Sequence, residues 1–291
     1  MTTASYRCSA ASLGAGEPAG GTASTVRRFL LVEQAGPWGV DALRDSRLPE
    51  PVKGHLADLR DRKGIRPLLV RPCGRTTPGG GVQIYLADAT SARLTGAVLR
   101  DVDELVDLDL DVLEPAEGPL FLACTHGRHD ACCAELGRPL AAALAEADPV
   151  RTWEVSHIGG DRFAPNVLVL PHGLYYGRLE PDSAADFVAR HLDGRLDPDH
   201  LRGRSTSPFP VQAAEVHLRR QLGEDRLDAV RLLASDRDGD DRLVDLAVGE
   251  DRYRVRLRPR QQPPARLTCR SSAESVAVTY DLAELTSVPT D

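Results

Sequence analysis

A strand-forming run at 118–124, GPLFLAC, ends on a cysteine; eight residues separate Cys124 from Cys133, and twenty-three more lead to His157 in SHIGGD. A loop after a β-strand, with a second loop from a neighbouring strand, can offer such donors on stiffly held backbone. Thiolates are the metal-binding form of cysteine, and a nearby cation or helix N-terminus lowers the thiol pKa enough to supply them. The gap between the cysteines is wider than a zinc knuckle, whose pairs stand about two to four residues apart. It is also wider than the C-x-x-C of thioredoxin-type dithiol exchange. Soft donors on two loops suit an iron–sulfur cluster better than a nucleophilic triad, and a histidine donor matches iron of the Rieske kind, in which imidazole replaces thiolate on one iron.

Composition narrows the classes. The 291 residues are 42% hydrophobic, which suits a globular chain of two domains with a possible third small module. A net charge of -7 argues against a protein that reads a nucleic-acid backbone. Only Lys53 and Lys63 among the 36 basic residues are lysines, a skew attributed to a GC-rich genome rather than to phosphate recognition. No window reaches the roughly 18 apolar residues of a membrane span, and the start of the chain lacks a signal-peptide pattern. The expected location is the cytoplasm. In a reducing compartment six cysteines favour metal binding or redox chemistry over structural disulfides. Cys8, Cys73 and Cys269 lie far apart and are each read as small buried hydrophobes.

The expected architecture is α/β in three parts. Residues 1–114 form an N-terminal α/β domain: a strand in RRFLLVE at 27–33, a helix at 51–64 with a glycine stop, and strands in RPLLVRPC and VQIYLAD. Trp38 is read as a packed turn tryptophan, and the glycines at 79–81 as a plain connection between strands, without the lysine of a phosphate loop. After an expected linker, EPAEGP, residues 115–201 run strand, cysteine loop, helix, strand, hairpin, helix, a thioredoxin-like order. The helix is expected to have Pro139 just inside its start and to end near Ala147; Asp182 or Ser183 caps the closing helix. Residues 202–291 form a module of one helix and three or four strands, in which DRDGDD at 236–241 is a polar hairpin turn rather than a calcium loop. No repeat of fixed period stands out.

The segments LACTHGRHDACCAELGRPLAAAL and WEVSHIGGDRFAPNVLVLPHGLYYGRL together resemble the sucrase/ferredoxin-like family, densely over about 60 residues from Leu120, and CSAAS and FLLVEQAGPWG near the N-terminus resemble its bacterial members. The resemblance implies a thioredoxin-like ferredoxin domain that binds a [2Fe-2S] cluster through two cysteines and a His-x-Gly-Gly-His element. Carried over to this sequence, Cys124 and Cys133 would hold one iron and His157 the other, with Gly159 and Gly160 letting the loop wrap closely. The second histidine of that element is here Asp161.

Asp161 is the leading fourth ligand, although a carboxylate is a harder donor than imidazole; Cys132, Cys8, Cys73, His126 and His129 compete. With aspartate for one imidazole, the oxidised cluster would carry one negative charge, between the neutral bis-histidine and doubly negative all-cysteine cases. That predicts a potential below bis-histidine relatives and above plant-type ferredoxins near about -400 mV, with Arg162 offsetting part of the charge. His126 and His129 are read as solvated loop residues, and Arg128, Asp130, Arg162 and Asn166 as hydrogen-bonding residues that order the two loops.

The expected function is a one-electron carrier or redox-responsive protein working with an unidentified redox partner protein, without nucleic acid or membrane. The alternatives are a zinc site of Cys124, Cys133, His157 and Asp161, or a thiol-disulfide oxidoreductase using Cys132 and Cys133 or Cys124. Sugar hydrolysis is discounted, since a glycosidase needs two carboxylates about 5 to 10 Å apart and no such pair is marked.

Overall fold

The computed structural model describes residues 5–74 and 80–289, so Gly79 of the glycine run lies outside the described residues. Two units of matching topology share one sheet. In the first, β1 (Arg28–Glu33) is followed by helix α3 (Glu50–Lys63), β2 (Ile65–Pro72), β3 (Val82–Asp88), β4 (Arg93–Leu99) and a short β5 (Glu114–Pro115). In the second, β6 (Leu120–Cys124) is followed by α4 (Ala131–Ala147), β7 (Thr152–Val155), β8 (Asn166–Leu170), β9 (Leu174–Gly177), α5 (Ala184–Leu192) and β10 (Leu201–Arg204). Two short helices, α1 (Cys8–Gly14) and α2 (Ala42–Asp45), precede α3.

The strand order is β10-β9-β8-β6-β7-β2-β1-β3-β4-β5. In each unit the first two strands are parallel, joined through a helix, while the third pairs antiparallel with the first and the fourth with the third. The units join edge to edge where β2 and β7 pair antiparallel, Val70 opposite Val155. The sheet is thus an approximate two-fold repeat: the strand, helix, strand, hairpin part of the order expected after the linker is present twice. The closing helix is present only in the second unit, the first having short 3-10 turns over Val102–Val106 and Leu110–Val112 in its place. Its first copy goes unread in the sequence because RLTGAVL, now β4, has a threonine, a glycine and an arginine that blur its alternation.

Residue 114 therefore ends no separate sheet: β5 pairs with β4, and the segment expected as a linker supplies the edge strand. The boundary at 201/202 likewise falls inside β10, which pairs with β9. One core runs across the join, with Phe29, Leu31, Leu68 and Val70 against Leu122, Trp153, Val155 and Leu168. Trp38 is buried, as expected, in the core beneath α3.

Helix α3 begins with Pro51 in its first turn and ends on Gly64, whose φ of 63° is the left-handed stop the sequence signalled. Helix α4 departs from expectation. It starts eight residues before Pro139, because the Asp130 side chain accepts from the Cys132 backbone N–H and caps it there. Pro139 sits inside the helix and Cys132 and Cys133 occupy its first turn. The helix lies close on the end of β6 because Gly137 has no side chain; a Cβ there would overlap the carbonyl oxygen of Cys124.

Beyond the main sheet, α6 (Phe209–Leu222) packs on a four-stranded antiparallel sheet of β11 (Val230–Asp238), β12 (Asp241–Val248), β13 (Asp251–Gln261) and β14 (Val278–Val288). Val211, Ala214 and Leu218 meet Val244, Leu246, Val255 and Leu257 there. The DRDGDD segment is the β11–β12 turn, as expected. Among the described residues no helix is long and apolar enough to cross a membrane.

Candidate metal centre

Cys124 is the last residue of β6, Cys133 lies in the first turn of α4, and His157 follows β7. Parallel pairing of β6 with β7 sets Cys124 beside Val155, so the strand end delivers the histidine loop to the cysteine. One ligand atom from each of Cys124, Cys133 and His157 lies within 4.8 Å of the others. A second group of the same compactness, His129, His157 and Asp161, shares the imidazole. The two groups together make a continuous patch of donors with His157 at its middle.

Asp161 is buried and reaches both groups. Its Oδ1 is 3.2 Å from Cys133 Sγ, which donates to it, and 2.9 Å from His157 Nδ1. The close approach to Nδ1 is not aligned as a hydrogen bond, so this ring nitrogen is a buried polar atom without a conventional partner. His129 stacks on His157 with ring centroids 3.7 Å apart and places Nε2 3.9 Å from Asp161 Oδ2. His129, one of the competing donors the sequence offers, is therefore a rival to Asp161 on geometry and is not a fully solvated loop residue.

The electrostatics favour a thiolate at one sulfur. The Cys133 thiol beside it, helped by His157, holds Cys124 well below the usual thiol range despite complete burial. That adjacent sulfur, and then burial, push Cys133 the other way. Burial would lower His157, but Asp161 and Cys124 outweigh it and raise the imidazole to about 9. Burial would raise Asp161, and His157 with Cys133 reverses this and holds the carboxyl below its ordinary value. A thiolate, an imidazolium and a carboxylate thus compensate one another in a site that excludes most water. Cys124 and Cys133 are each 1% exposed, whereas the His129 and His157 side chains are 33% and 24% exposed, so the site opens at its imidazole edge.

His126 is not a solvated residue. It is buried, its Nδ1 accepts from the His157 backbone N–H at 3.2 Å, and its Nε2 lies 2.9 Å from Gly39 O. Because the backbone N–H occupies Nδ1, the ring proton sits on Nε2 and donates to Gly39; both nitrogens are used, and His126 is a strut rather than a ligand. Burial accordingly lowers its pKa. The first unit contributes backbone to the site, since His129 Nδ1 also reaches Val40 O.

The histidine loop is held by its carbonyls. His157 O accepts from Arg66, Ile158 O from Ser24, Gly159 O from Arg202 and Gly160 O from Asn166. Gly159 and Gly160 adopt φ of 101° and 81°, and a Cβ on Gly160 would overlap the Arg202 guanidinium. Asn166 orders the loop as expected; Arg162 instead pairs with Glu17 at 2.8 Å. The buried cation behind the loop is Arg202, 1% exposed, which also donates to Asn166 Oδ1 and Thr22 O. Arg202 was not foreseen, because its role depends on β10 lying beside β9.

The remaining cysteines divide. Cys73 packs at the margin of another core and joins neither group. Cys8 and Cys269, expected as isolated hydrophobes, instead converge with Cys132 and Asp130, so Cys132 faces away from Cys124 and toward a second cluster. Proximity across a fold is invisible in spacing alone.

A family model described as sucrase/ferredoxin-like matches residues 20–203, more than half of the chain. No curated protein and no solved structure matches it.

Proposed function

Because the chain belongs to the sucrase/ferredoxin-like family, we propose that the donors at Cys124, Cys133, His157 and Asp161 hold a [2Fe-2S] cluster and that the protein is a one-electron carrier or redox-responsive protein. The observation that carries this reading is the convergence of two sulfurs and an imidazole within 4.8 Å from a strand end, a helix start and a separate loop. Three features support the fit. Cys124 and Cys133 offer soft sulfur donors, the buried His157 Nδ1 makes no aligned hydrogen bond although Asp161 Oδ1 stands 2.9 Å from it, and Asp161 also lies against Cys133. When bound, such a cluster supplies one-electron oxidation and reduction.

The protein's own residues do the rest. Cys124 and Cys133 would hold one iron while β6 and α4 exclude water behind them. His157 and Asp161 would hold the other, on a loop whose carbonyls are fixed by Arg66, Ser24, Arg202 and Asn166. Electrons would pass to an unidentified redox partner protein across the His129 and His157 edge, the part of the site open to solvent. Cys8, Cys124, Cys132, Cys133 and Cys269 form no disulfide, which supports a cytoplasmic, reducing location.

Anaerobic purification followed by iron and acid-labile sulfide analysis tests the proposal. Equal iron and sulfide with red-brown colour, lost in Cys124→Ser and Cys133→Ser, is the expected result. A colourless protein with zinc at these donors would replace it with the zinc reading. Disulfide reductase activity surviving chelation would favour the thiol-exchange reading.

A further inference from the structure

Cys8, Cys132 and Cys269 form a second sulfur cluster outside the site described above. Their Sγ atoms are 3.3 Å (Cys132–Cys269), 3.5 Å (Cys269–Cys8) and 3.8 Å (Cys8–Cys132) apart. Four ligands about 2.3 Å from a tetrahedral zinc ion have sulfurs roughly 3.8 Å apart, so the triangle is that of a site slightly contracted about its centre. Both carboxylate oxygens of Asp130 are 3.7 Å from Cys8 Sγ, and one carboxylate oxygen with the three sulfurs fits within 4.8 Å. From these positions we infer a second metal site, in which Cys8, Cys132, Cys269 and Asp130 bind one divalent zinc ion in a closed, structural arrangement.

The surroundings are those of metal-bound thiolates. The Cys8 backbone N–H donates to Cys269 Sγ at 3.4 Å, and the Ser9 hydroxyl donates to Cys132 Sγ at 3.1 Å. Asp130 is oriented from both sides, accepting from the Cys132 N–H at 2.9 Å and the Cys269 N–H at 2.6 Å. Each oxygen keeps a further lone pair for a cation. Without a cation, burial and the Asp130 charge push the Cys8 thiol up, and burial pushes Cys269 to about 11. Zinc binding would displace these thiol protons to solvent and remove the repulsion.

Packing gives the site a purpose. The small core here consists of Cys8, Cys132 and Ala164, with Tyr6 and Cys269 at its edge, and offers little aliphatic surface. It is nevertheless where three distant segments meet: α1 near the N-terminus, the start of α4, and the 262–277 connection between β13 and β14. Cys8 and Cys269 both lie outside the family match at 20–203. The site would bind the two ends of the chain to the helix that carries Cys133, one residue from Cys132.

Metal analysis of the full chain, produced with both iron and zinc supplied and purified without oxygen, is the test, with Cys269→Ser as the variant because Cys269 is on a partly exposed connection. The expected wild-type content is about one zinc per chain, lost in Cys269→Ser and in Cys8→Ser but retained in Cys124→Ser. Cobalt added to the zinc-stripped protein should give thiolate-to-cobalt charge-transfer absorption that Cys269→Ser abolishes. Wild-type protein without zinc, zinc unchanged in Cys269→Ser, or a Cys132–Cys269 disulfide in the anaerobic protein would each overturn the inference. The outcome is separable from that of the cluster proposal, which is read in iron and sulfide and lost in Cys124→Ser.

Discussion

Replacing Gly137 by alanine sets two opposing effects against each other at the seam between α4 and β6. In a helix interior alanine is favoured over glycine by about 1 kcal/mol, which alone would stabilise the protein. Here the added methyl would overlap the Cys124 carbonyl oxygen, a backbone atom that cannot rotate aside. Relief requires the helix to move by roughly 1 Å or more against a packed core, and overpacking of this kind costs about 1–3 kcal/mol. The contact involves backbone on one side, so the upper part of that range applies, and the net loss should be about 1–2 kcal/mol. The same displacement draws Cys133 from Cys124, since both ride on the two elements being separated. Gly54, exposed in α3 with nothing within 4 Å of a Cβ, is the control. Gly54→Ala should raise the midpoint of thermal unfolding, while Gly137→Ala should lower it by a few degrees and reduce iron per chain. Circular dichroism melts of chelator-treated protein and iron analysis of the purified protein read the two effects separately. If Gly137→Ala raised the melting point as Gly54→Ala does, with iron unchanged, the argument that glycine is required for this close approach would be wrong.

Arg202→Met removes a buried cation and leaves Thr22 O, Gly159 O and Asn166 Oδ1 without their donor; urea unfolding should show a loss of about 3–5 kcal/mol, and a loss below 1 kcal/mol would refute the account. In the metal-free protein His157 is raised from 6.5 to about 9, so its stabilising contribution is complete below pH 6.5 and fades as pH rises through 9. Its size is about 3 kcal/mol at most; urea midpoints followed from pH 6 to 9.5 should fall in the wild type and stay flatter in Asp161→Asn. Asp161→His removes one negative charge from the proposed ligand set, and a redox titration should show a higher potential than in the wild type; an unchanged potential counts against ligation by Asp161.

The strands and helices that position the site were legible because their signals are local. LFLAC is a continuous apolar run that becomes β6, and VRTWEVSH contains β7, Thr152–Val155, with His157 two residues beyond its end. The start of α4 was misread because Pro139 is a strong helix-start signal, whereas the true signal, Asp130 capping Cys132, is a short acidic side chain in a crowded loop. His126 reads as a loop histidine in the sequence because the partners its ring bridges, Gly39 and the His157 backbone, are distant in the chain, 87 residues away on one side.

By itself the sequence determined which side chains are candidates to hold a metal and most of the elements that present them, because hydrophobic periodicity and the spacing of Cys124, Cys133 and His157 are properties of short stretches of chain. Tertiary structure alone decided that two units of the same topology fuse through β2 and β7, that Arg202 stands behind the histidine loop, and that Cys8 and Cys269 meet Cys132. Those are contacts between residues up to 261 positions apart. They follow from how sheet edges pair and faces bury, and such long-range choices leave no periodic trace along the chain.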